Sequence, residues 1–279
     1  MRPISITEYT ETTTELIPKT TFFTNSDCEN NEAENTAVCV TEEADETSPG
    51  GKRQYHWTFS RLDADSVQVT VADSTVTTLG TLALPDPFGD STIDIIPLPD
   101  ADRVVISLAA GQDGSQDYCV QFDGQKLTTA YEFRPELTFM FSVGNHVICA
   151  DFYDEKLAVL SYPDFTCEIE REFQDLDETC LTNIWKITDS IAVMCTDAGR
   201  FYAITIPTLE VIGEIVITGH EPQPDELGIN SSNISSMKIS DDEVIFNKTW
   251  FDRNAQQLAT ANIHVGKEEF CRLISDRVL

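Results

Sequence analysis

The chain has 279 residues, of which 48 are acidic and 18 are Lys or Arg, giving a formal net charge of −30. Hydrophobic residues make up 41% and aromatic residues 9%, enough apolar surface for a folded core and unlike the composition of a disordered chain. The charge argues against nucleic acids and anionic membranes as direct partners, because these are bound by clustered Lys and Arg, and Lys52-Arg53 is the nearest approach to such a cluster.

Residues 1–56 contain four candidate strands, at 4–9, 15–18, 19–23 and 36–41. The amino terminus lacks the apolar run of a signal peptide, and no stretch approaches the length of a membrane-spanning helix. We therefore expect a soluble protein of the cytoplasm or nucleus, without a signal peptide or transmembrane segment. The eight cysteines have no Cys-x-x-Cys spacing and are expected to be buried thiols rather than disulfides.

Residues 26–51 contain eight acids and no base and end in Ser-Pro-Gly-Gly, which predicts an exposed acidic loop. Its acidic residues Glu42, Glu43, Asp45 and Glu46 are candidate contacts for a basic partner. A solvated surface loop is the plainer interpretation of the same residues.

From residue 57 onward the chain reads as short strands separated by Asp, Asn, Gly and Pro, and helical periodicity is nearly absent, so the sequence predicts an all-β protein. An apolar residue, a short turn with Asp or Asn, and a β-branched strand recur five times. The five copies begin at Leu62, Leu98, Val143, Ile187 and Ile239. Such a period, about 44 residues, is typical of radial arrays of small sheets.

Two of the copies match over a longer span, in which residues 149–165 align with residues 195–209. Each continues into a further strand, so one repeat reads as strand, hairpin, strand, proline turn and strand. A single small sheet cannot bury both of its faces, whereas sheets stacked around an axis bury one another.

The unit, above all residues 197–211 (DAGRFYAITIPTLEV), resembles a divergent blade of the WD-repeat β-propellers. The resemblance covers roughly residues 57–279 and implies four-stranded blades. The sequence departs from the family pattern, since no blade ends in Trp-Asp and no Gly-His dipeptide opens a blade in the usual register, although Gly219-His220 follows a predicted strand.

We expect a single propeller domain over residues 1–279 with about six, possibly seven, blades. Residues 57–279 supply five repeats, and residues 1–56 are long enough for a divergent first blade. Closing such a ring requires an amino-terminal strand to pair with the carboxy-terminal unit, because open edges promote aggregation. Residues 219–236 are polar, contain two prolines and are predicted to be a second exposed loop.

No arrangement of residues points to catalysis or to a cofactor. The four histidines are far apart, and the pairs Asp63/Asp65, Asp100/Asp102 and Asp175/Asp177 lack the other ligands of a calcium loop, so no metal site is predicted. Turn formation explains these aspartates. Cys149 and Cys195 occupy matching strand positions, which favours buried structural thiols over nucleophiles.

Trp57, Trp185 and Trp250 lie near repeat starts and are candidate binding residues. Packing between blades is the alternative, whereas a partly exposed Trp can anchor a bound peptide. Trp250 is the candidate for an aromatic residue near a hairpin tip.

The combined pattern favours a non-enzymatic propeller that binds a protein partner of basic character, alone or as a subunit of a larger complex. The alternative is a propeller hydrolase or lyase with carboxylates at the axial mouth. The sequence does not indicate the oligomeric state.

Overall fold

A computed structural model describes residues 3–12, 15–16, 38–41, 54–89, 91–100, 102–110, 114–173, 176, 180–220, 223–224, 230–252 and 257–277. Three short strands come first: β1 (Ile4–Ile6), β2 (Thr10–Glu11) and β3 (Glu15–Leu16). The remaining described strands form five meanders, and one helix follows them.

Sheet I contains β4 (Val38–Thr41), β5 (Gln54–Asp63), β6 (Ser66–Ala72) and β7 (Thr78–Pro85). Sheet II contains β8 (Thr92–Pro97), β9 (Arg103–Ala109), β10 (Ser115–Phe122) and β11 (Leu127–Glu132). Sheet III contains β12 (Thr138–Val143), β13 (His146–Asp151), β14 (Lys156–Ser161) and β15 (Cys167–Glu172).

Sheet IV contains β16 (Leu181–Lys186), β17 (Ile191–Thr196), β18 (Phe201–Thr205) and β19 (Val211–Ile217), and β1 joins it beside β19. Sheet V contains β20 (Gln223–Pro224), β21 (Asn230–Ile239), β22 (Glu243–Asp252) and β23 (Gln257–Gly266), and β2 and β3 join it beside β23. The helix α1 (Lys267–Ser275) follows directly.

The five predicted turns are confirmed, one in each sheet. They connect β5 to β6, β8 to β9, β12 to β13, β16 to β17 and β21 to β22, and each of these pairs is antiparallel. The protein is thus mostly β, with several four-stranded antiparallel sheets. The recurring Asp or Asn marks a hairpin between the first two strands of sheets II, III and IV and between the second and third strands of sheets I and V.

The alignment of two longer copies is also confirmed by backbone geometry. Phe165 and Leu209 occupy matching positions and both have a positive φ, of 53° and 57°. The amide of Phe165 donates to the carbonyl of Ser161 at 2.7 Å, and that of Leu209 donates to Thr205 at 2.9 Å. The two proline turns are therefore the same local structure.

The described strands of residues 1–56 each pair with a strand of a sheet built mainly from later residues. Strand β1 runs parallel to β19, β2 and β3 are antiparallel to β23, and β4 is antiparallel to β5. The expected pairing of amino-terminal strands with the carboxy-terminal sheet is observed. Because residues 19–23 lie outside the described residues, a separate first blade and the blade number stay predictions.

Two elements differ from the sequence-based expectation. Part of the predicted loop 219–236 is strand, since β21 begins at Asn230 and pairs with β22 along its length. The polar Ser- and Asn-rich start of β21 favours a loop when only neighbouring residues are considered. Pairing with β22, in which Ser232 lies opposite Trp250, makes it a strand.

The helix α1 corrects the all-β prediction. It has nine residues and buries Phe270 and Ile274, one turn apart, while Glu268 and Glu269 occupy its first turn, where carboxylates are favoured. Its exposed Arg272 donates to Glu269 and Asp276. With only two fully buried apolar positions, the helix was too short for its periodicity to stand out.

The contacts divide the chain into two compact units. The first comprises residues 1–27, 152–157 and 169–279, and the second comprises residues 28–151 and 158–168. One core in the first unit joins β1, sheets IV and V and α1 around Phe201, Phe246 and Phe270. The second unit has one core between sheets I and II around Trp57 and another around Phe133 and Phe139.

Asp117 is a buried carboxylate in β10 of the second unit, with 1% of its surface exposed. It accepts a hydrogen bond from the hydroxyl of Ser107 in β9 at 2.7 Å and another from the backbone amide of Phe139 in β12. Burial raises its pKa, against the lowering effect of these two bonds. The side chain thus ties sheet II to the start of β12 through two uncharged donors.

We expect Asp117→Ala to lower the free energy of unfolding by about 2–4 kcal/mol, because it leaves the Ser107 hydroxyl and the Phe139 amide without their acceptor and opens a small void. Asp117→Asn keeps an acceptor and should cost less. Urea unfolding of the three proteins measures the order.

The raised pKa also fixes the sign of a pH effect. The native state holds the Asp117 proton more tightly than the unfolded chain, so the wild type should gain stability relative to Asp117→Asn as the pH falls from neutral to about 4, the ordinary pKa of an aspartate. A stability difference that shrinks or stays constant on acidification would contradict this assignment.

We expect Phe270→Ala to lower the free energy of unfolding by about 3–5 kcal/mol, since Phe270 is fully buried and packs edge-on against Phe246 at 5.9 Å. Glu268→Ala, at an exposed site on the same helix, should change it by less than about 0.5 kcal/mol. Equal effects of the two substitutions in urea unfolding would show that α1 is not anchored through its apolar side.

Candidate functional site

A pocket of about 440 Å³ lies in the second unit. Its lining combines three carboxylates with two aromatic rings and an amide: Tyr55, Asp100, Asp102, Gln121, Phe122, Asp123 and Gly124. A volume in this range accommodates a small ligand or one large side chain.

The β8–β9 turn supplies Asp100 and Asp102. The carbonyl of Asp100 accepts from the amide of Arg103 at 3.1 Å, and that of Asp102 accepts from the amide of Phe122 at 2.8 Å. The recurring turn of the sequence is thus tied by its backbone to the end of β10.

Tyr162 positions the Asp100 carboxylate by donating its hydroxyl to Oδ2 at 2.6 Å. Burial, together with this bond and the charge of Asp100, raises the pKa of Tyr162. The Arg103 guanidinium lies 5.5 Å from the centre of the same ring. The phenol therefore stays protonated and keeps donating to Asp100 at physiological pH.

The β10–β11 turn supplies Asp123, whose Oδ1 accepts the backbone amides of Gln125 and Lys126, each at 2.9 Å. These bonds, that of Lys126 first, lower the pKa of Asp123, so it is ionised at neutral pH. Gly124 follows with a φ of +88°, a conformation that glycine adopts without strain. On the adjoining end of β10, the side-chain amide of Gln121 donates to Asp102 at 3.3 Å.

The aromatic part of the pocket is Tyr55 of β5 and Phe122 of β10. Their rings meet edge to face with centroids 5.6 Å apart. Phe122 is buried in the core between sheets I and II, and Tyr55 packs against that core. Carboxylates beside aromatic rings form a site suited to an ammonium or guanidinium group, which gains from charge pairing and from contact with the rings.

The predicted tryptophans are not part of this pocket's lining. Trp57 is fully buried in the core between sheets I and II, so the structure contradicts a surface role and agrees with packing. Trp185 is partly buried and stacks on Phe201 at 6.1 Å. Trp250 is partly buried near the end of β22, with the ammonium of Lys248 5.5 Å from its ring centre.

Glu42, Glu43, Asp45 and Glu46, the other predicted contacts, lie outside the described residues. Their role stays a prediction.

The cysteines whose side chains are described are free thiols. Cys149 and Cys195 are buried in β13 and β17 as predicted. Burial raises the pKa of Cys195 to about 11. It also raises the pKa of Cys149 well above that of an ordinary thiol. Both thiols are therefore protonated and poor nucleophiles.

Within the described ranges, no group of three or more His, Cys, Asp or Glu side chains is arranged to hold a metal ion. The described helix α1 is too short and too polar to cross a membrane.

Sequence reasoning interpreted Asp100 and Asp102 as turn residues and missed their part in the pocket. The similar pair Asp63 and Asp65 shows why, because the Asp63 side chain accepts only from its own turn, from the Asp65 amide at 3.0 Å and the Ser66 hydroxyl at 2.7 Å. Asp100 and Asp102 differ in that their side chains accept from Tyr162 and Gln121, which are distant in sequence. No local pattern carries that signal.

No known protein-family model matches the chain, and no curated protein sequence matches it. The WD-repeat resemblance therefore has no support from a sequence-level match.

Solved structures give matches of low similarity. BamB from Moraxella catarrhalis is 9% identical with a TM-score of 0.42, and the match covers 80% of this chain and 62% of that protein. Chaetomium thermophilum Raptor is 12% identical with a TM-score of 0.44, over 73% of this chain and 19% of Raptor. The AfRom2 CNH domain is 8% identical with a TM-score of 0.43, over 81% and 63%.

The matched region spans less than two thirds of each of these three chains. At these identities and TM-scores the likeness supports no conclusion about function.

Proposed function

We propose that the protein is a non-enzymatic interaction module that binds a basic segment of a partner protein, with the acidic pocket of the second unit receiving a Lys or Arg side chain. The observation that carries the proposal is the convergence of Asp100, Asp102 and Asp123 beside Tyr55 in one pocket. The net charge of −30 would attract a cationic segment from a distance and speed its association.

The propeller architecture belongs to the same proposal. The series of four-stranded meanders, each with the recurring turn, supports an arrangement of the sheets as blades. The number of six or seven blades is the expectation from the sequence alone. Propellers and other repeat folds use exposed turns as binding surfaces, and the pocket is built from two such turns.

The geometry gives less support to a hydrolase. Such an enzyme needs a carboxylate of raised pKa open to substrate. Asp117 has a raised pKa, but it is buried and bonded to Ser107 and Phe139 within the core, away from the pocket lining.

The test uses the full chain and a fluorescein-labelled hexalysine peptide, with binding followed by fluorescence anisotropy. We expect binding that weakens steeply between 50 and 300 mM NaCl, because screening shortens the range of the charges. We expect Asp100→Asn/Asp102→Asn to weaken it by about tenfold or more, equivalent to about 1.4 kcal/mol.

The matched control is Asp63→Asn/Asp65→Asn, which removes the same charge from the corresponding turn of sheet I in the same unit. It should change the affinity by less than about twofold, since those residues do not line the pocket. Equal weakening by the two double variants would reject the pocket as the site, and binding that is insensitive to salt would reject the electrostatic mechanism.

A further inference from the structure

A strained and exposed valine lies in the turn between β6 and β7 of sheet I. Val76 has a φ of 65°, in the left-handed region that a β-branched side chain rarely adopts, and 76% of its surface is exposed. Glycine or asparagine takes this backbone conformation at a lower free-energy cost. The chain therefore keeps a strained apolar residue at a position where it buries little surface.

The hydrogen bonds of the turn do not require a valine. The amide of Val76 donates to the carbonyl of Asp73 at 2.9 Å, and the amide of Asp73 donates to the carbonyl of Thr77 at 3.1 Å. The Asp73 carboxylate accepts the amides of Thr75 and Thr77, each at 2.9 Å, and the Thr75 hydroxyl at 2.7 Å. All of these bonds are possible with asparagine at position 76, so the fold of the turn does not explain the valine.

The other described non-glycine residues with a positive φ have contacts that offset their strain. Phe165 and Leu209 have 5% and 0% of their surface exposed, so each gains from burial of an apolar side chain. Glu155 is partly buried and accepts a hydrogen bond from the Cys180 thiol. Among these four described residues, Val76 is the exposed one. Unexplained strain of this kind is found at functional sites.

The turn lies at the end of sheet I that carries Tyr55 of the acidic pocket. His56 of β5 pairs with Ala72 of β6, so β6 ends beside the start of β5 and the turn follows there. Neighbouring strands are about 4.8 Å apart, so the turn lies about 5–10 Å from Tyr55 across the sheet.

The same turn also lies near the pocket residues of sheet II. A Cβ added at Gly80, close to the start of β7, would lie 3.5 Å from Cγ of Leu127, the first residue of β11. Leu127 directly follows the β10–β11 turn, which supplies Asp123 and Gly124 to the pocket. Val76 and the pocket therefore share one end of the second unit.

We propose that Val76 is a second anchor of the same binding surface and contacts an aliphatic side chain of the partner segment. The inference rests on the proposed function, because the basic residue in the acidic pocket brings this side chain to Val76. An extended peptide rises about 3.4 Å per residue, so a residue one to four positions from the bound one spans the distance. The partner is then a segment that mixes basic and aliphatic residues, and its binding buries the valine.

The experiment compares two fluorescein-labelled peptides of equal charge, Lys-Lys-Leu-Leu-Lys-Lys and Lys-Lys-Ser-Ser-Lys-Lys, by fluorescence anisotropy with the full chain. We expect the wild type to bind the leucine peptide about five- to tenfold more tightly than the serine peptide. In Val76→Asn this preference should fall below about twofold, with unchanged affinity for the serine peptide. Equal binding of both peptides by the wild type, or a preference that survives in Val76→Asn, would overturn the second anchor.

Leu62→Asn is the matched control. Leu62 has 51% of its surface exposed and lies before the β5–β6 turn, at the opposite end of sheet I. Its φ is not positive. This variant should keep the full preference for the leucine peptide. Equal loss of the preference in Leu62→Asn and Val76→Asn would show that any exposed apolar residue serves, and would reject the assignment to Val76.

Stability gives a second readout on the same two variants. Val76→Asn should lower the equilibrium constant for unfolding by about three- to tenfold in urea unfolding, because asparagine tolerates the left-handed conformation better than valine. Leu62→Asn relieves no such strain and should not lower it. A Val76→Asn protein that is no more stable than the wild type would remove the strain on which the inference depends.

Asp100→Asn/Asp102→Asn separates failure of the second anchor from failure of the pocket. It should weaken both peptides by a similar factor and leave the leucine preference in place. Binding of the serine peptide that does not respond to this double variant would reject the pocket and the second anchor with it. Pocket-dependent binding of the serine peptide without any gain from leucine would reject the second anchor alone.

Discussion

Much of this fold depends on one constraint, namely that an inner strand in each of sheets II, III and IV is buried on both faces. Strands β9, β13 and β17 are buried along nearly their whole length rather than on alternate residues. A four-stranded sheet cannot cover both faces of such a strand by itself, so each sheet needs another packed layer. The cores meet this need between sheets I and II and between sheets IV and V.

Close packing of sheets makes buried polar groups costly unless they are bonded, and two aspartates of the second unit show two solutions. Burial would raise the pKa of Asp86, yet hydrogen bonds from Ser91 and Arg61 hold it below its ordinary value. Arg61 reaches it at 2.7 Å and also donates to the carbonyls of Gly89 and Ser91. At Asp117, burial outweighs the hydrogen bonds from Ser107 and the Phe139 amide, so its pKa is raised.

The fold could be predicted from the sequence as far as local rules extend. The turns that begin at Leu62 and Ile239 and the matching positions Phe165 and Leu209 were visible as repeats, because hairpins are specified by neighbouring residues. The start of β21 and the helix α1 were missed, since pairing with β22 and contact with Phe246 override weak local signals.

The candidate site was predictable only in its general character. The net charge indicates a basic ligand, but neither Asp100 nor Asp102 differs from the other turn aspartates in its local sequence. Trp57, one of the three candidate binding tryptophans, is buried in the structure. The pocket depends on residues brought together by packing of sheets I and II, and this convergence is a tertiary property.

The pairing of the first strands with the last ones has a consequence for biosynthesis. Thr12 and Asn262 are 250 positions apart, and β1 pairs with β19, so these amino-terminal strands have partners that are synthesised much later. Until β19 and β23 have been synthesised, the amino-terminal strands β1 and β2 have no partner edge. Closing such distant contacts is slow. The nascent chain therefore carries unpaired amino-terminal strands while the intervening sheets are made, and chaperones that shield such strands would act on it during that interval.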